Sequence, residues 1–513
     1  MKFSFKGNKE AERVINLVKH TNNSVFLTGK AGTGKSTLLK HIISDLNKKY
    51  ILLAPTGIAA LNVGGQTIHS FFGFGFRPYL PKDRDLPNLL EKLDLLKKID
   101  LIIIDEISMV RADVMNAIDL TLKKFLKNKS PFGGKQLLIV GDLLQLPPVV
   151  NNKNIEEVKI LRENYRSEFF FDAPIFNEFD LEVIELDKVY RQEEKDFVKV
   201  LNNIRTNQAT DADLCSINTR YQRDIVSEGV ITLTTKNATV DKINSQKLSK
   251  IDKPEFDFFA TKTGTFADNR SSKRNPTDDI LKLKEGSQVI FVKNDSERKW
   301  VNGTIAKINK IEDNEIEVDI NGLKCSIPRE TWEDVEYKWN REEDKIEKEV
   351  VGTFEQYPIR LAWAITIHKS QGQTFEKSIV DMDTGAFAFG QTYVALSRCT
   401  SLEGICLTRK INRSDIKVSE NAVKYLTEKG IDSLHKRDNL ELDLIERIKE
   451  LENNLDRTIE EKKSIVKKAK EKDKETENIL ISFERIKTEN DFLKKEIDRV
   501  KGITWIQKLF GAK

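Results

Sequence analysis

The sequence predicts an α/β fold in which helices cover both faces of parallel β-sheets. Runs rich in Ile, Leu and Val at 50–57, 99–106 and 136–142 alternate with segments of helical periodicity. Strands buried on both faces have this continuous apolar character, unlike the alternating strands of antiparallel sheets. A glycine-rich loop at 25–37 joins a further apolar run to the start of a helix. The chain of 513 residues is long enough for three or four domains of roughly 100–200 residues each.

The glycine-rich loop has the spacing of a phosphate-binding loop, Gly-Lys-Ala-Gly-Thr-Gly-Lys-Ser from Gly29 to Ser36. Backbone N–H groups in such a loop wrap nucleotide phosphates, because glycine lets the main chain come close. We expect Lys35 to reach the terminal phosphates and Ser36 to place its hydroxyl on Mg²⁺. The alternative is a glycine-rich turn that binds nothing. The expected nucleotide contacts are Gly29, Gly32, Thr33, Gly34, Lys35, Ser36 and Thr37.

The composition restricts the classes of function. The formal net charge is only +4, so nucleic-acid binding would depend on a local groove. The sequence shows neither an apolar run of ~18 residues nor an N-terminal signal core, so we expect a cytoplasmic protein without a targeting segment or membrane contact. The four cysteines form no CxxC pair, which argues against a zinc site and favours a reducing compartment. They are Cys215, Cys325, Cys399 and Cys406.

Changes in pattern divide the chain into segments. A second α/β pattern begins near Leu181, with strand candidates at 181–186, 230–235 and 378–382. Between its halves, short alternating strands and an Asn321–Gly322 turn predict a small β-barrel or hairpin module. The predicted division is a first α/β domain at 1–178 with an insertion at about 71–98, a second at 179–250 and 352–410, the β module at 251–351, and a helical extension at 411–513.

The helical extension has the pattern of a coiled coil. Residues 440–500 are nearly free of Gly and Pro, and apolar residues recur there at alternating spacings of four and three. A hairpin within the chain, a dimer contact and a partner site are alternative uses, with Trp505–Phe510 as a candidate docking tip. The seam positions are Leu444, Ile448, Leu451, Leu455, Ile479, Phe483, Ile486, Asn490, Leu493, Ile497 and Val500.

Two acids end the apolar run at 99–106. Asp105 is expected to hold Mg²⁺ together with Ser36, and Glu106 to orient or deprotonate the attacking water. Such acids also serve as helix N-caps, which is the alternative. With a phosphate-binding loop upstream, the pattern favours catalysis.

Three further residues are candidates for contact with the γ-phosphate. Gln145 follows the run at 136–142, and ligands bind at the carboxyl ends of parallel strands. Arg191 and Arg398 are candidate arginine fingers from the second α/β domain. Taken alone, the glutamine could be an exposed loop residue and the arginines solvated surface charges.

Small polar or basic residues in predicted turns suit the phosphate oxygens of nucleic acid. The aromatic loop Phe71–Tyr79 offers rings on which bases can stack. Packing of Phe71 and Phe72 beneath the loop is the alternative. The candidate nucleic-acid contacts are Thr56, His69, Ser70, Phe71, His368, Lys369 and Ser370.

These motifs, in this order, resemble the motif series of the petite-integration-frequency (PIF) helicases, RecD-like enzymes in the B branch of superfamily one. The resemblance covers about residues 20–410. The residues that carry it are Gly29–Ser36, Ala54–Ala60, Thr67–Phe72, Ile103–Val110, Gly141–Pro148, Val189–Gln192, Ala364–Thr374 and Tyr393–Arg398.

The resemblance implies two RecA-like P-loop domains with ATP and Mg²⁺ in the cleft between them. It implies a wedge after Ser70 and an SH3-like module at 251–351, with Gly372 near the phosphates. The implied enzyme is an ATP-hydrolysing DNA helicase that moves 5′ to 3′ on single-stranded DNA and opens 5′-tailed or forked duplexes. Expected roles are DNA repair, recombination and telomere or genome maintenance, in a bacterium at the nucleoid.

Two other classes of function share part of this pattern. A translocating or remodelling ATPase would have the same ATP motifs without strand separation. A coiled-coil scaffold with a regulatory NTPase would hydrolyse ATP at a rate indifferent to DNA. The helicase interpretation is favoured because the whole motif series is present.

Overall fold

A computed structural model gives the fold of the chain. It describes residues 5, 7–75, 77–150, 154–192, 194–222, 229–268, 275–295, 297, 299–312, 315–340, 342–343, 345–429, 454–465 and 476–510. Residues 1–429 form one compact unit and residues 430–513 a second.

The first α/β segment folds into a parallel sheet of six strands in the order β3-β2-β4-β5-β1-β6. Its core is made of the apolar runs seen in the sequence, and every residue of the two central strands β4 and β5 is buried. The strands are β1 (Ser24–Gly29), β2 (Tyr50–Ala54), β3 (Gln66–Thr67), β4 (Leu101–Ile104), β5 (Gln136–Val140) and β6 (Leu181–Leu186). The helices are α1 (Lys9–His20), α2 (Lys35–Ser44), α3 (Gly57–Val63), α4 (Ile68–Phe72), α5 (Leu93–Lys98), α6 (Ala112–Leu126) and α7 (Ile155–Asn164).

The prediction that 181–186 begins the second domain is wrong. β6 pairs in parallel with β1 over six residues, from Ser24 opposite Leu181 to Gly29 opposite Leu186. The first lobe therefore extends to about residue 186. A strand's apolar pattern shows that it belongs in a sheet but does not show which of two neighbouring sheets it joins.

The second α/β segment forms a parallel sheet in the order β18-β7-β19-β20. β7 (Ile231–Thr234) and β19 (Ser378–Asp381) lie at the predicted positions 230–235 and 378–382. The remaining elements are α8 (Lys195–Arg205), α9 (Asp211–Asn218), α10 (Asn237–Ser249), β18 (Ala364–Thr366), α11 (Gln391–Leu396), β20 (Ile405–Leu407) and α12 (Glu420–Glu428). The α/β class with parallel sheets is thus confirmed for both lobes.

An antiparallel β module separates β7 from β18, as the alternating pattern predicted. One sheet has the order β14-β13-β12-β11-β17, and the predicted turn at Asn321 and Gly322, both with positive φ, joins β13 to β14. Because β17 belongs to this sheet, the module extends to about residue 361. Its strands are β8 (Phe256–Phe259), β9 (Thr261–Lys262), β10 (Ile280–Leu283), β11 (Gln288–Phe291), β12 (Ile305–Glu312), β13 (Glu315–Ile320), β14 (Leu323–Ile327), β15 (Glu330–Asn340), β16 (Lys345–Gln356) and β17 (Ile359–Leu361). The SH3-like assignment stays a prediction.

The long hairpin β15–β16 reaches from this module to the first lobe. The Leu52 N–H donates to the Tyr337 hydroxyl at 3.0 Å, and that hydroxyl is 3.2 Å from the Leu52 carbonyl oxygen. The Lys49 ammonium lies 4.6 Å from the centre of the Trp339 ring. The module is therefore attached to both lobes, by chain connection to one and by this arm to the other.

The segment after β20 also returns to the first lobe. Tyr425 of α12 stacks on Phe171 with ring centres 4.2 Å apart and planes 7° apart. Residues 411–429 thus belong to the first compact unit, and the predicted boundary of the helical extension at residue 411 is too early by about 19 residues.

The second unit is helical where it is described, at 454–465 and over Thr476–Phe510. The Lys462 ammonium lies 5.0 Å from the centre of the Phe483 ring, so the two helices pack together, which favours the hairpin among the alternatives. Seam residues Phe483, Ile486, Asn490, Leu493 and Ile497 are partly or fully buried. Seam residues Leu444, Ile448 and Leu451 lie outside the described residues. In the described part of the chain, no helix is both long and apolar enough to span a bilayer.

Candidate functional site

The loop between β1 and α2 has the backbone conformation that its glycines allow. Gly32 and Gly34 have φ of 80° and 85°, a region that L side chains rarely adopt. A Cβ on Gly32 would lie 2.5 Å from the Cβ of Arg191, and one on Gly29 would lie 2.8 Å from the Leu186 carbonyl oxygen. Glycine is therefore required where the loop turns and where the chain leading to the second lobe crosses it.

A cavity of about 510 Å³ lies over this loop and is lined from both lobes. The first lobe contributes the loop, Glu106 and Gln145, and the second contributes Gly372 and Arg398. Most of the predicted nucleotide residues are thereby brought together. Those lining the cavity are Gly32, Thr33, Gly34, Lys35, Ser36, Thr37, Glu106, Gln145, Arg191, Gly372 and Arg398, whereas Gly29 and Asp105 are not among its lining residues.

Lys35 begins α2, and its ammonium donates to loop carbonyls, at 2.6 Å to Gly29 and 3.0 Å to Lys30. Burial lowers the pKa of Lys35, while the carboxylates of Asp142 and Glu106 act in the opposite direction. A buried cation whose hydrogen bonds go to neutral oxygens is suited to a phosphate anion.

Asp105 and Glu106 follow β4 directly. The Asp105 carboxylate accepts a hydrogen bond from the Glu106 N–H at 2.9 Å, and Glu106 has a φ of 52°. Positive φ is uncommon for glutamate, and such strain concentrates at functional sites. Burial raises the pKa of Asp105. Burial, together with repulsion from Asp105, raises the pKa of Glu106 to about 7.

The oxygens at this position fit Mg²⁺. Asp105 and Ser36 both line a second, larger cavity that lies next to the loop. Carboxylate and hydroxyl oxygens are ligands that magnesium takes alongside phosphate oxygens. Among the described residues, no cluster of three or more His, Cys, Asp or Glu side chains could hold an ion alone.

Arg398 is fully buried and makes its hydrogen bonds to neutral oxygens. Its Nε donates to the Val394 carbonyl at 2.9 Å, and a terminal nitrogen donates to the Ser397 hydroxyl at 3.0 Å. Burial, followed by repulsion from Arg191, lowers the pKa of Arg398 to about 9. Arg191 donates to the Ser397 carbonyl at 3.1 Å. Arg191 and Arg398 thus both donate to Ser397, and both line the small cavity. Their combined positive charge favours binding of an anion between the lobes.

Two residues of the site were missed as individual candidates. The Gln371 amide donates to the Glu106 carboxylate at 3.0 Å and is 3.5 Å from the Gln145 side-chain oxygen. The Tyr393 hydroxyl accepts from the Ala31 N–H of the loop at 2.8 Å. Both lie in recognised motif segments, Ala364–Thr374 and Tyr393–Arg398, in which other residues are assigned roles.

An ion pair that the sequence does not reveal also joins the lobes at this site. Arg205 of α8 donates to Asp142 at 2.9 Å and to Glu185 of β6 at 3.3 Å, and the side chains of Arg205 and Asp142 are almost fully buried. Burial alone would raise the pKa of Asp142, but attraction to Arg205 and Lys35, together with hydrogen bonds from Arg205 and Gln145, outweighs it and lowers that pKa.

We expect Arg205→Met to lower the stability of the protein by roughly 3–5 kcal/mol, because Asp142 would be left buried without its partner. The measurement is the thermal unfolding midpoint at pH 7. Arg413→Met is the matched control, since its pair with Asp211 is exposed and is worth roughly 0–1 kcal/mol. The pKa of Asp142 is lowered from 3.8 in the wild type, whereas without Arg205 burial raises it relative to the wild type. The deficit should therefore be largest at neutral pH and shrink as the pH falls, because the carboxyl of the variant takes up its proton first. Equal midpoints for the two variants at pH 7 would contradict the expectation.

A second cavity of about 2320 Å³ runs between the lobes and the β module. Most of the predicted nucleic-acid contacts line it, namely Thr56, His69, Ser70, His368 and Lys369. Burial lowers the pKa values of His69 and His368, so near neutral pH these rings offer hydrogen bonds rather than charge. Cationic side chains that line the same cavity are Lys40, Arg162, Arg166, Lys282, Arg360 and Lys369.

Two predicted nucleic-acid contacts are contradicted. Phe71 is fully buried, 4.9 Å from Phe72 and 6.2 Å from Tyr337 between ring centres, so the packing alternative is correct. Ser370 is also buried, and its hydroxyl donates to the Ile367 carbonyl at 2.8 Å. In the described part of the aromatic loop, Phe74 and Tyr79 are likewise buried. The rings stabilise the loop from within.

The family model for PIF1-like helicases matches residues 6–214. The chain is 33% identical over 448 residues to the ATP-dependent DNA helicase Pif1 of Psychrobacter sp., covering 75% of this chain and 66% of that protein. It is 32% identical over 438 residues to the enzyme of the same name from Campylobacter jejuni, covering 79% of this chain and 94% of that protein. The chain spans 60% of the length of the ATP-dependent DNA helicase PIF1 of Danio rerio.

Solved structures match over the same part of the chain. Pif1 of Bacteroides sp. in complex with ADP-AlF4 superposes with a TM-score of 0.76 at 39% identity, covering 83% of this chain and 97% of that one. The Bacteroides Pif1 bound to single-stranded DNA superposes with a TM-score of 0.60 at 40% identity, covering 82% of this chain and 96% of that one.

Proposed function

Because the chain belongs to the PIF1-like helicase family, we propose that it is an ATP-dependent DNA helicase that moves 5′ to 3′ along single-stranded DNA and separates duplexes. The observation that carries the proposal is the split phosphate site. Residues of both lobes line one small cavity, and Glu106 and Gly372 line both that cavity and the larger interlobe cleft. ATP chemistry and strand binding therefore share a boundary.

In the proposed reaction, the loop N–H groups and Lys35 bind the phosphates of ATP. Mg²⁺ held by Ser36 and Asp105 would neutralise charge on the β- and γ-phosphates. Glu106 takes the proton of the attacking water, and Gln145 contacts the γ-phosphate. Arg191 and Arg398 stabilise the charge that develops on the transferring phosphoryl group.

Movement follows from the division of the site between the lobes. When ATP is bound, Arg398 of the second lobe and Lys35 of the first contact the same phosphates, which favours lobe closure. Hydrolysis and phosphate release remove that link. The larger cleft has its wall on both lobes, so alternate closure and opening would shift the strand contacts at Thr56 and His69 relative to those at His368 and Lys369.

The wedge is proposed to be the loop between α4 and α5. Its backbone is anchored on α6, since the Tyr79 N–H donates to Asp113 at 3.0 Å and the Asn116 amide donates to the Leu80 carbonyl at 3.1 Å. The Tyr165 hydroxyl donates to the Tyr79 carbonyl at 2.8 Å. A loop fixed at these points can resist the force of an incoming duplex.

The test is strand separation on 5′-tailed, 3′-tailed and forked duplexes with Mg²⁺ and ATP. We expect opening of the 5′-tailed and forked substrates and none of the 3′-tailed one. Lys35→Ala should abolish opening, since its ammonium, which donates to the loop carbonyls of Gly29 and Lys30, is expected to bind the terminal phosphates of ATP.

Other results would identify the rival functions. DNA-stimulated ATP hydrolysis without duplex opening would identify a translocase or remodelling ATPase. Hydrolysis indifferent to DNA would favour a scaffold with a regulatory NTPase, for which the C-terminal helices and their tip are the proposed partner site. As a helicase, the protein would serve DNA repair, recombination or genome maintenance at the bacterial nucleoid.

A further inference from the structure

We propose that Phe387 is a base-stacking contact for single-stranded DNA, carried on a rigid loop of the second lobe that packs against Gln145 of the first. The inference rests on the proposed function and adds a binding residue that the motif series does not assign. The ligand is the face of a nucleobase of any sequence, since each base has a π-face.

Phe387 and Phe389 are exposed aromatic residues on the wall of the larger cleft. Their exposed fractions are 59% and 39%, in contrast to the buried Phe71, Phe72 and Phe74. A single exposed phenylalanine on an open surface needs no explanation. Here the rings line a concave surface together with Lys369 and His368, where a strand is proposed to run.

The neighbouring His368 gives the ring a defined orientation. The two ring centres are 6.2 Å apart and their planes are inclined by only 17°. A base placed against Phe387 would thus continue a short series of nearly parallel rings. Lys369, next in the chain, supplies a cation for the backbone of the same nucleotide.

The loop that carries Phe387 is held by main-chain hydrogen bonds at several points. The Phe387 N–H donates to the buried Gln391 side-chain oxygen at 3.0 Å, and the Ala386 N–H to Asp415 at 3.4 Å. The Gly390 N–H donates to the Lys417 carbonyl at 2.8 Å. The ring is therefore presented by a fixed backbone, which reduces the entropy lost on stacking.

The same loop contacts the first lobe at a residue of the phosphate site. Gly390 has a φ of 67°, and a Cβ there would lie 2.2 Å from the Gln145 carbonyl oxygen. The backbone of the Phe387 loop and the backbone of Gln145 thus pack without space for a methyl group. A shift of Gln145 with the nucleotide state would be transmitted to the stacking ring.

The experiment measures binding of a fluorescein-labelled oligothymidylate to the full chain by anisotropy, beside an oligonucleotide of equal length and charge with abasic sites. The variants are Phe387→Ala and Phe387→Trp. The matched control is Leu323→Ala, since Leu323 is 76% exposed but does not line the cleft. ATP binding and the unfolding midpoint, expected to be unchanged, show that each variant is folded.

We expect Phe387→Ala to lose roughly 5- to 150-fold in affinity for oligothymidylate, the range for one base–aromatic stack. Its affinity for the abasic strand should equal that of the wild type, because the phosphate contacts remain. Phe387→Trp should keep the affinity, and its added fluorescence should be quenched by oligothymidylate but not by the abasic strand. Leu323→Ala should bind both strands as the wild type does.

Wild-type affinity of Phe387→Ala for oligothymidylate would overturn the inference and leave the proposed function standing. An equal loss on both strands would also overturn it, since the effect would not involve the bases. A wild-type protein that binds neither strand would instead contradict the proposed function. The outcomes for the residue and for the whole protein are therefore distinguishable.

Discussion

Replacing Arg398 with alanine is expected to slow DNA-stimulated ATP hydrolysis by roughly 10³–10⁵-fold, the range for an arginine that stabilises a transferring phosphoryl group. The physical reason is the surroundings of this guanidinium. It is fully buried, its hydrogen bonds go to neutral oxygens, and repulsion from Arg191 adds to burial in lowering its pKa. Such a charge is stabilised most by the anion that forms at the cavity it lines.

The measurement is the rate of phosphate release at saturating ATP and oligothymidylate, with ATP affinity measured separately. ATP binding should change much less than the rate, because the loop of the first lobe holds most of the nucleotide. Arg398→Lys should recover little activity, since an ammonium cannot reproduce the planar fork. Arg413→Ala, at an exposed arginine of the same lobe, is the control. A fast Arg398→Ala enzyme would exclude Arg398 from the catalytic mechanism.

Replacing Glu106 with glutamine is expected to lower the same rate by roughly 10²–10⁴-fold, the contribution of a positioned general base. The amide keeps the size of the carboxylate but cannot take a proton from water. Glu106 lies at the boundary of the two cavities, and its carboxylate is oriented by the hydrogen bond that it accepts from the Gln371 amide at 3.0 Å. Nucleotide binding and strand binding should both survive.

Asp105→Asn provides the comparison, because this residue is proposed to act through the metal. It should raise the Mg²⁺ concentration required for hydrolysis, whereas Glu106→Gln should lower the maximal rate at any Mg²⁺ concentration. If Glu106→Gln instead shifted the Mg²⁺ requirement and retained the maximal rate, the two roles would have to be exchanged.

The parts of the site that could be predicted are those in which one short stretch of chain carries both the structural pattern and the reactive residues. A loop such as Gly29–Ser36 needs glycine at fixed positions for steric reasons, and the acids after β4 follow a short apolar run rich in Ile, which is typical of a buried strand. These requirements are local, so they are visible in a short stretch of chain. The parallel sheets were predictable for the same reason.

The parts that could not be predicted depend on contacts between distant segments. Arg205 is 63 residues from Asp142, and nothing in the sequence near either residue indicates their ion pair. Phe71 near the end of α4 and Phe387 in a loop are both aromatic residues, yet the first is buried and the second is 59% exposed. Similarly, β6 belongs to the first sheet because it pairs with β1 over six residues. Burial and pairing are properties of the folded chain and not of a motif.

The β15–β16 arm has a further consequence for the molecule, which concerns self-association. β3 has two residues and pairs with Leu53 and Ala54, so the N–H and carbonyl of Leu52 face the Tyr337 hydroxyl of the arm instead of a strand. An uncovered sheet edge is a template on which another chain can add a strand. Any state in which the arm leaves β2 is thus also a state in which two copies can join edge to edge. The contact between Tyr337 and Leu52 therefore protects this edge of the first sheet against association between copies, besides attaching the β module to the first lobe.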